Sequence, residues 1–266
     1  MTLNDTVTPL LQQMITIAKQ AGDAIMEVYQ SDDFGAETKH DGDFASPLTR
    51  ADKAAHRIIV EQLEQLASYD IISEEGENRM VETELYWLVD PLDGTKEFVK
   101  RNGEFTVNIA LMKGARPLLG VVYAPALDVY YCGNVEHRKA FKIEKGDKKD
   151  IEAVPHNMPP KIVVSRSHKD EQTQKLLDSI GEYEEVSMGS SLKLCLVAEG
   201  KAALYPRLGP TSLWDTAAAD AVVTAAGGSV TTISGLPLQY EPEREILNPH
   251  FVVEAMDKPV RWKIPR

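Results

Sequence analysis

The chain has 266 residues, 43% of them hydrophobic and 26% charged, with 17 Gly and 15 Pro. That composition excludes disordered polyanions, collagen-like repeats and low-complexity chains, and the length allows one large domain or two lobes. Lys and Arg number 29 against 41 Asp and Glu, a net charge of −12, which repels nucleic-acid polymers and anionic membrane surfaces. Two cysteines, Cys132 and Cys195, are too few for a disulfide framework and point to a reducing cytoplasm. With no run of 18 apolar residues and no basic leader, neither a membrane span nor a targeting segment is expected.

In chain order, the first helix starts with Thr8 as cap and Pro9 in the first turn. It places Leu11, Met14, Ala18, Ala21, Ile25 and Tyr29 on one face. The polar stretch 31–43 reads as a loop or hairpin. A second helix runs from about Thr49 to Leu66 and buries Ala51, Ala55, Ile58, Ile59 and Leu63. A short strand at 69–73 ends in Glu74 and Glu75. Strands then follow at 86–90, 105–112, 118–125, 128–133 and 139–144, separated by turn residues as in an antiparallel meander. The run 146–150 (GDKKD) is the expected lobe boundary, giving an N-terminal α+β lobe over 1–150 and a C-terminal α/β lobe over 151–266. In the second lobe a strand at 161–165, helices at about 170–180 and 190–199, a strand at 202–206 and a helix at about 213–226 are expected, the last closed by Gly227 and Gly228.

Dinucleotide, P-loop, nucleophile-elbow and zinc signatures are absent, and the six histidines are scattered. The chemistry-bearing residues are carboxylates. An apolar strand delivers Asp90 to its end, Pro91 stiffens the exit, and the Asp93-Gly94 turn can aim a second carboxylate back towards the first. Gly94 allows close backbone approach, and Gly94 with Thr95 can open a helix whose free N–H groups suit a phosphate. Oxygen donors of this kind suit Mg²⁺ or Mn²⁺. Each position also has a plainer reading. Asp93-Gly94 is an ordinary turn, and Glu74-Glu75 a solvated acidic loop. Thr49-x-x-Asp52 and Ser212-x-x-Asp215 are capping boxes. Asp220 lies about 140° round the helix from Asp215, so the two cannot share an ion. Taken together, carboxylates converging from several element ends would repel strongly without a cation.

The set S-E-E at 73–75, W-L-V-D-P-L-D-G-T at 87–95 and W-D-T-A-A at 214–218 resembles the inositol monophosphatase superfamily of Mg²⁺-dependent, lithium-sensitive phosphatases. The stretch 93–111, with Ser165-Arg166-Ser167-His168, Gly189-Ser190-Ser191-Leu192-Lys193 and Tyr205-Pro206-Arg207, is most similar to its CysQ-type 3′(2′),5′-bisphosphate nucleotidase branch. Inositol-type members usually carry Asn near Glu97, and Asp220 departs from the expected pattern. The resemblance implies a layered α/β/α/β/α sandwich. It assigns Glu74, Asp90 and the Leu92 carbonyl to a first Mg²⁺, and Asp90, Asp93 and Asp215 to a second, with two or three ions in all, Mn²⁺ as a substitute and Li⁺ as inhibitor. Asp52 and Thr95, with Glu74, form the implied catalytic set that orients and deprotonates the attacking water. Asp93, Gly94, Thr95 and Asp215 adjoin the phosphate being removed. Arg166, Lys193 and Arg207 form a basic set for a second phosphate, with Ser190 beside it and His168 an adenosine contact. The implied activity is hydrolysis of 3′-phosphoadenosine 5′-phosphate to AMP and phosphate, with the 5′-phosphosulfate analogue a further substrate. The alternatives are an inositol-phosphate or fructose-1,6-bisphosphate phosphatase with the same metal site, or an inactive nucleotide- or metal-binding relative. A monomer or homodimer, cytoplasmic or peripheral on the inner face of a membrane, is compatible with this reading.

Overall fold

The structure is a computed structural model that describes residues 3–31, 35, 37–41, 44–154, 159–165, 171–178 and 180–256. Its chain begins with helix α1 (Leu3–Tyr29), which buries Leu11, Met14, Ala18, Ala21 and Ile25, as their spacing predicts. α1 starts upstream of the expected Thr8 cap and includes Pro9. A proline so near the start removes only one early hydrogen bond of the helix. A hairpin of β1 (Glu37–Asp41) and β2 (Phe44–Leu48) follows. Then comes α2 (Arg50–Leu66), capped by Thr49 and burying Ala51, Ala55, Ile59 and Leu63; Ile58 is half-buried.

A seven-stranded sheet comes next: β3 (Asp70–Ser73), β4 (Leu85–Asp93), β5 (Thr106–Lys113), β6 (Arg116–Ala124), β7 (Val129–Asn134), β8 (Lys139–Glu144) and β9 (Asp147–Asp150), in sequential order. β3 pairs parallel with β4 and all later pairs are antiparallel, so the expected meander is present. Between β4 and β5 lies the short helix α3 (Thr95–Val99). Within the run 146–150, residues 147–150 form a strand. Lys145 and Gly146, both at positive φ, close a tight hairpin, and the four exposed charged residues of β9 suit a sheet edge.

The second sheet has the order β11-β10-β12-β14-β13. It comprises β10 (Lys161–Ser165), β11 (Glu184–Met188), β12 (Leu204–Arg207), β13 (Ser229–Thr232) and β14 (Phe251–Glu254). Helices α4 (Glu171–Asp178), α5 (Leu192–Ala198) and α6 (Ala217–Ala225) complete the chain. The single helix expected over 213–226 is interrupted. Leu213–Asp215 form a 3₁₀ turn closed by the Ser212–Asp215 capping box, and Thr216 leaves helical dihedrals at φ −122° before α6 begins. β11, β13 and β14 are short pieces that hydropathy did not mark.

Side-chain alternation explains the layering. Trp87, Val89, Ile109, Leu111, Val121 and Tyr123 point to one face of the seven-stranded sheet and pack on α1 and α2. Tyr86, Leu88, Ala110, Met112, Val122 and Tyr131 point to the other and pack on α5 and α6, which also meet Val163, Tyr205, Phe251 and Val253 of the second sheet. Leu177 of α4 packs on the far face of that sheet with Ile162, Val164, Leu204 and Val252. The result is helices, sheet, helices, sheet, helix, the α/β/α/β/α sandwich.

The central contact depends on two glycines. Gly120 and Gly133 are paired across β6 and β7, and the backbone of α6 lies directly on them. A Cβ on Gly133 would sit 2.6 Å from the Ala221 carbonyl oxygen, and one on Gly120 would run into that of Ala218. Gly120→Ala is expected to destabilise the protein by about 1–3 kcal/mol through overpacking, measured as a lower denaturation midpoint. An unchanged midpoint would show that α6 can rise off the sheet without loss.

Candidate active site

The site forms where element ends from both sheets meet. β4 carries Asp90 and Asp93, and its pairing with β5 shifts register between them. Pro91 lies in that irregularity, and the bulge turns two carboxylates towards one place instead of opposite faces. β4 thus runs three residues past the strand end expected at Asp90. Gly94 follows at φ +88°, a left-handed conformation that favours glycine, with the Glu104 carbonyl and Ser190 close by, and α3 opens at Thr95 as expected.

Oxygens of Asp90, Asp93 and Asp215 lie within 4.8 Å of one another. Glu74, the residue after β3, lies beside Asp90 and acts on its carboxyl. Burial, then the charge of Glu74, pushes the Asp90 carboxyl well above its ordinary range. Burial also raises Asp93, and it lifts Asp215 to about 7 with the Asp93 charge adding to it. Buried Asp90 and half-buried Asp93 and Asp215 are therefore gathered in one cluster, with Glu74 beside Asp90. Asp215 does two things at once: its Oδ2 accepts from the Ser212 N–H at 2.9 Å, which is the capping box, while the same carboxylate belongs to the cluster.

Asp52 has the same double character. Its Oδ2 accepts from Thr49 N–H and Oγ1 at 2.7 and 2.6 Å, and its Oδ1 takes a hydrogen bond from Thr95 Oγ1 at 3.3 Å. The Thr95 hydroxyl lies equally far, 3.3 Å, from the Leu92 carbonyl. Burial pushes the Asp52 carboxyl up to about 6. Asp220 is not part of this cluster: it is buried in α6, accepting from Thr224 Oγ1 and Tyr240 OH.

A cleft opens from the carboxylates and is lined by Asp93, Gly94, Ser190, Lys193, Arg207 and Asp215, among others. Lys193 is held beneath it, its Nζ donating to the Ser190 carbonyl at 2.6 Å, and burial lowers its pKa. Arg207 donates Nη2 to the Pro210 carbonyl at 2.7 Å, while its Nε is buried with no partner. His168 and Arg166 lie outside the described residues.

Several residues here are given no role by the sequence alone. Arg79 donates to the carbonyls of Ser73 and Gly76 at 3.0 and 2.8 Å and lies 4.9 Å from the Trp214 ring centre, so it joins the Glu74 turn to the Asp215 turn. Ser191 N–H donates to Asp93 Oδ2 at 2.6 Å. Asn108 Nδ2 donates to Ser191 Oγ at 2.7 Å, and Asn108 Oδ1 is buried without a donor. The one available signal was a lone Asn inside the apolar strand FTVNIALM.

The cluster thus offers carboxylate and carbonyl oxygens with few donors, the donor set of a hard divalent cation. Because these folded-state pKa values lie above the unfolded ones, the chain without metal loses stability as pH rises from about 4 to 7. In chelator, Asp90→Asn is expected to melt above the wild type, by a margin on the order of 1 kcal/mol that grows between pH 5 and 7.5. Saturating Mg²⁺ reverses the order. Equal pH profiles for the two proteins would show that the carboxylates do not repel.

A sequence model of the inositol monophosphatase family matches residues 6–263. The chain is 49% identical over 249 residues to the 3′(2′),5′-bisphosphate nucleotidase CysQ of Escherichia coli (strain K12), covering 92% of this chain and 99% of that one. It is 43% identical over 263 residues to the protein of the same name from Buchnera aphidicola, covering 96% and 97%. The crystal structure of CysQ from Bacteroides thetaiotaomicron superposes with a TM-score of 0.81 at 38% identity, over 93% of this chain and 97% of that one. Layer order, the gathered carboxylates and these matches lead to one assignment: the chain belongs to the inositol monophosphatase family.

Proposed function

We propose that the chain is a 3′(2′),5′-bisphosphate nucleotidase, a metal-dependent phosphatase that hydrolyses 3′-phosphoadenosine 5′-phosphate to AMP and phosphate and accepts the 5′-phosphosulfate analogue. The observation that carries the substrate is the cleft. It has carboxylates at one end and Lys193 with Arg207 in its lining, so a second anionic group would meet two cationic side chains there. The similarity to curated nucleotidases of that name supports the same reading.

Glu74, Asp90 and the Leu92 carbonyl would hold one Mg²⁺, and Asp90, Asp93 and Asp215 a second, with Mn²⁺ able to substitute and Li⁺ inhibitory. The ions, when bound, supply positive charge that attracts the scissile phosphate and acidifies the attacking water. The rest falls to the chain. Asp52 in its ionised form draws on the Thr95 hydroxyl, which takes the proton of the water in turn. Glu74 assists at the same water. Backbone N–H groups of Gly94 and Thr95, at the open start of α3, grip the phosphate. Ser190, at φ +47°, shapes the wall next to Gly94, and His168 contacts the adenosine. The protein works in the cytoplasm, where Cys132 and Cys195, both buried, stay as free thiols; no described helix is long and apolar enough to cross a membrane.

Phosphate release measured side by side from the adenosine bisphosphate, inositol 1-phosphate and fructose 1,6-bisphosphate, each with Mg²⁺, is expected to favour the first. A preference for either sugar phosphate would overturn the substrate reading. Lys193→Ala or Arg207→Ala is expected to reduce kcat/KM for the adenosine bisphosphate by roughly 1.5–3 kcal/mol, the worth of a charge-assisted hydrogen bond, with inositol 1-phosphate turnover barely changed. Equal losses on both substrates would move these cations to a supporting role.

Thr95→Ala and Asp52→Asn are expected to lower kcat while leaving metal affinity in place. Asp52→Asn also weakens the capping box by about 1 kcal/mol. An Asp52 variant that melts lower yet keeps its rate would reduce Asp52 to a helix cap.

A further inference from the structure

We infer that Asn108 is a positioning residue of this reaction, acting through Ser191 to fix the orientation of Asp93 in the metal-binding cluster. The inference rests on the metal-dependent reading above and deepens it. Asn108 lies in the middle of β5, directly opposite Asp90 across the β4–β5 pair, and only 1% of its surface is exposed. An amide at such a depth is costly unless its hydrogen bonds are made. Asn108 makes one bond to Ser191, and its Oδ1 has no donor, so packing alone would favour an apolar residue at this place.

The bond it makes has a directional consequence. Ser191 Oγ lies 2.8 Å from Asp93 Oδ2 and 2.6 Å from the Asp215 carbonyl oxygen, both of them acceptors. The hydroxyl has a single proton for these two groups. A third acceptor at 2.7 Å would leave the oxygen facing acceptors on every side, so the Asn108 amide must present its Nδ2 there. By donating, Asn108 occupies a lone pair of the hydroxyl and confines its single proton to the side of Asp93 Oδ2 and the Asp215 carbonyl. Ser191 N–H donates to the same Asp93 oxygen at 2.6 Å. Asp93 Oδ2 is thereby held by the Ser191 N–H, with the Ser191 hydroxyl 2.8 Å away, and this pair of contacts orients the carboxylate. Ser191 stands immediately before α5, so this chain of bonds also ties the β5 strand to the segment that bears Lys193. Groups that orient metal ligands from behind typically change metal affinity or activity 10–100-fold when lost.

The test compares Asn108→Ala, Ser191→Ala and, as a control for loss of a buried asparagine away from the site, Asn134→Ala. Asn134 sits at the end of β7 and bonds His137. Mn²⁺ binding to the metal-free protein is followed by calorimetry, with thermal melts and phosphate release from the adenosine bisphosphate on the same samples. Asn108→Ala and Ser191→Ala are expected to bind Mn²⁺ 10–100-fold more weakly and to need correspondingly more metal for turnover. Asn134→Ala is expected to melt lower and bind as the wild type does. A folded Asn108→Ala with wild-type Mn²⁺ affinity overturns the inference. If that variant does not fold, Ser191→Ala, which keeps the backbone bond to Asp93, decides in the same way. A wild type that hydrolyses the bisphosphate and binds Mn²⁺ beside unaffected variants refutes the positioning role alone. A wild type that binds no Mn²⁺ refutes the metal-dependent reading itself.

Discussion

Mutual repulsion among Glu74, Asp90, Asp93 and Asp215 is the constraint around which this molecule is arranged. Carboxylates a few ångströms apart cannot all ionise easily in the absence of a cation; burial first, and then neighbouring carboxylate charge, raises the pKa values of Asp90 and Asp215, and burial raises that of Asp93. The fold does not avoid this repulsion. One strand end, one bulge and one capped turn are all brought to the same point, and the sandwich closes over them. Such an arrangement persists because the surrounding layers, above all α6 seated on Gly120 and Gly133, are packed tightly enough to impose it.

Economy in the use of carboxylates accompanies this crowding. A carboxylate has two oxygens, and Asp52 uses them separately, one to close the first turn of α2 and the other towards Thr95. Asp215 closes the turn at Ser212 with one oxygen while its side chain stands in the cluster. The capping reading and the chemical reading of these residues are thus compatible. The cap holds the side chain in a single rotamer, and a group held that way needs little reorganisation when it acts.

The overall charge of −12 looks unfavourable for an anionic substrate, yet local arrangement outweighs it. Lys193 and Arg207 reach the cleft from α5 and β12, elements of the second half of the chain, whereas Glu74, Asp90 and Asp93 come from the first. Opposite charges therefore meet across the junction of the two sheets. Burial lowers the Lys193 pKa, and the charges of Asp93, Glu97 and Asp215 around it oppose that shift, so the acidic cluster favours the basic residue beside it.

Much of this was legible in the sequence because the signals are local. Helical spacing gave α1 and α2, alternation gave the meander, and Asp-Gly, Thr-x-x-Asp and Ser-x-x-Asp announced the turns and caps at which the site carboxylates sit. The strands β11, β13 and β14 were not legible, since four or five residues completed only by neighbouring strands leave no periodicity of their own. The strand at 147–150 was hidden because its charges suit an exposed edge as well as a linker. The roles of Asn108, Ser191 and Arg79 were not legible either, although Asn108 and Ser191 lie in stretches that carry the resemblance: their meaning lies in partners 83, 98 or more than a hundred residues away. Residue type and spacing determined which groups could act on a phosphate. Only the tertiary structure decided which of them meet, because bringing like charges together is unfavourable for any short segment and requires the packing of the whole chain.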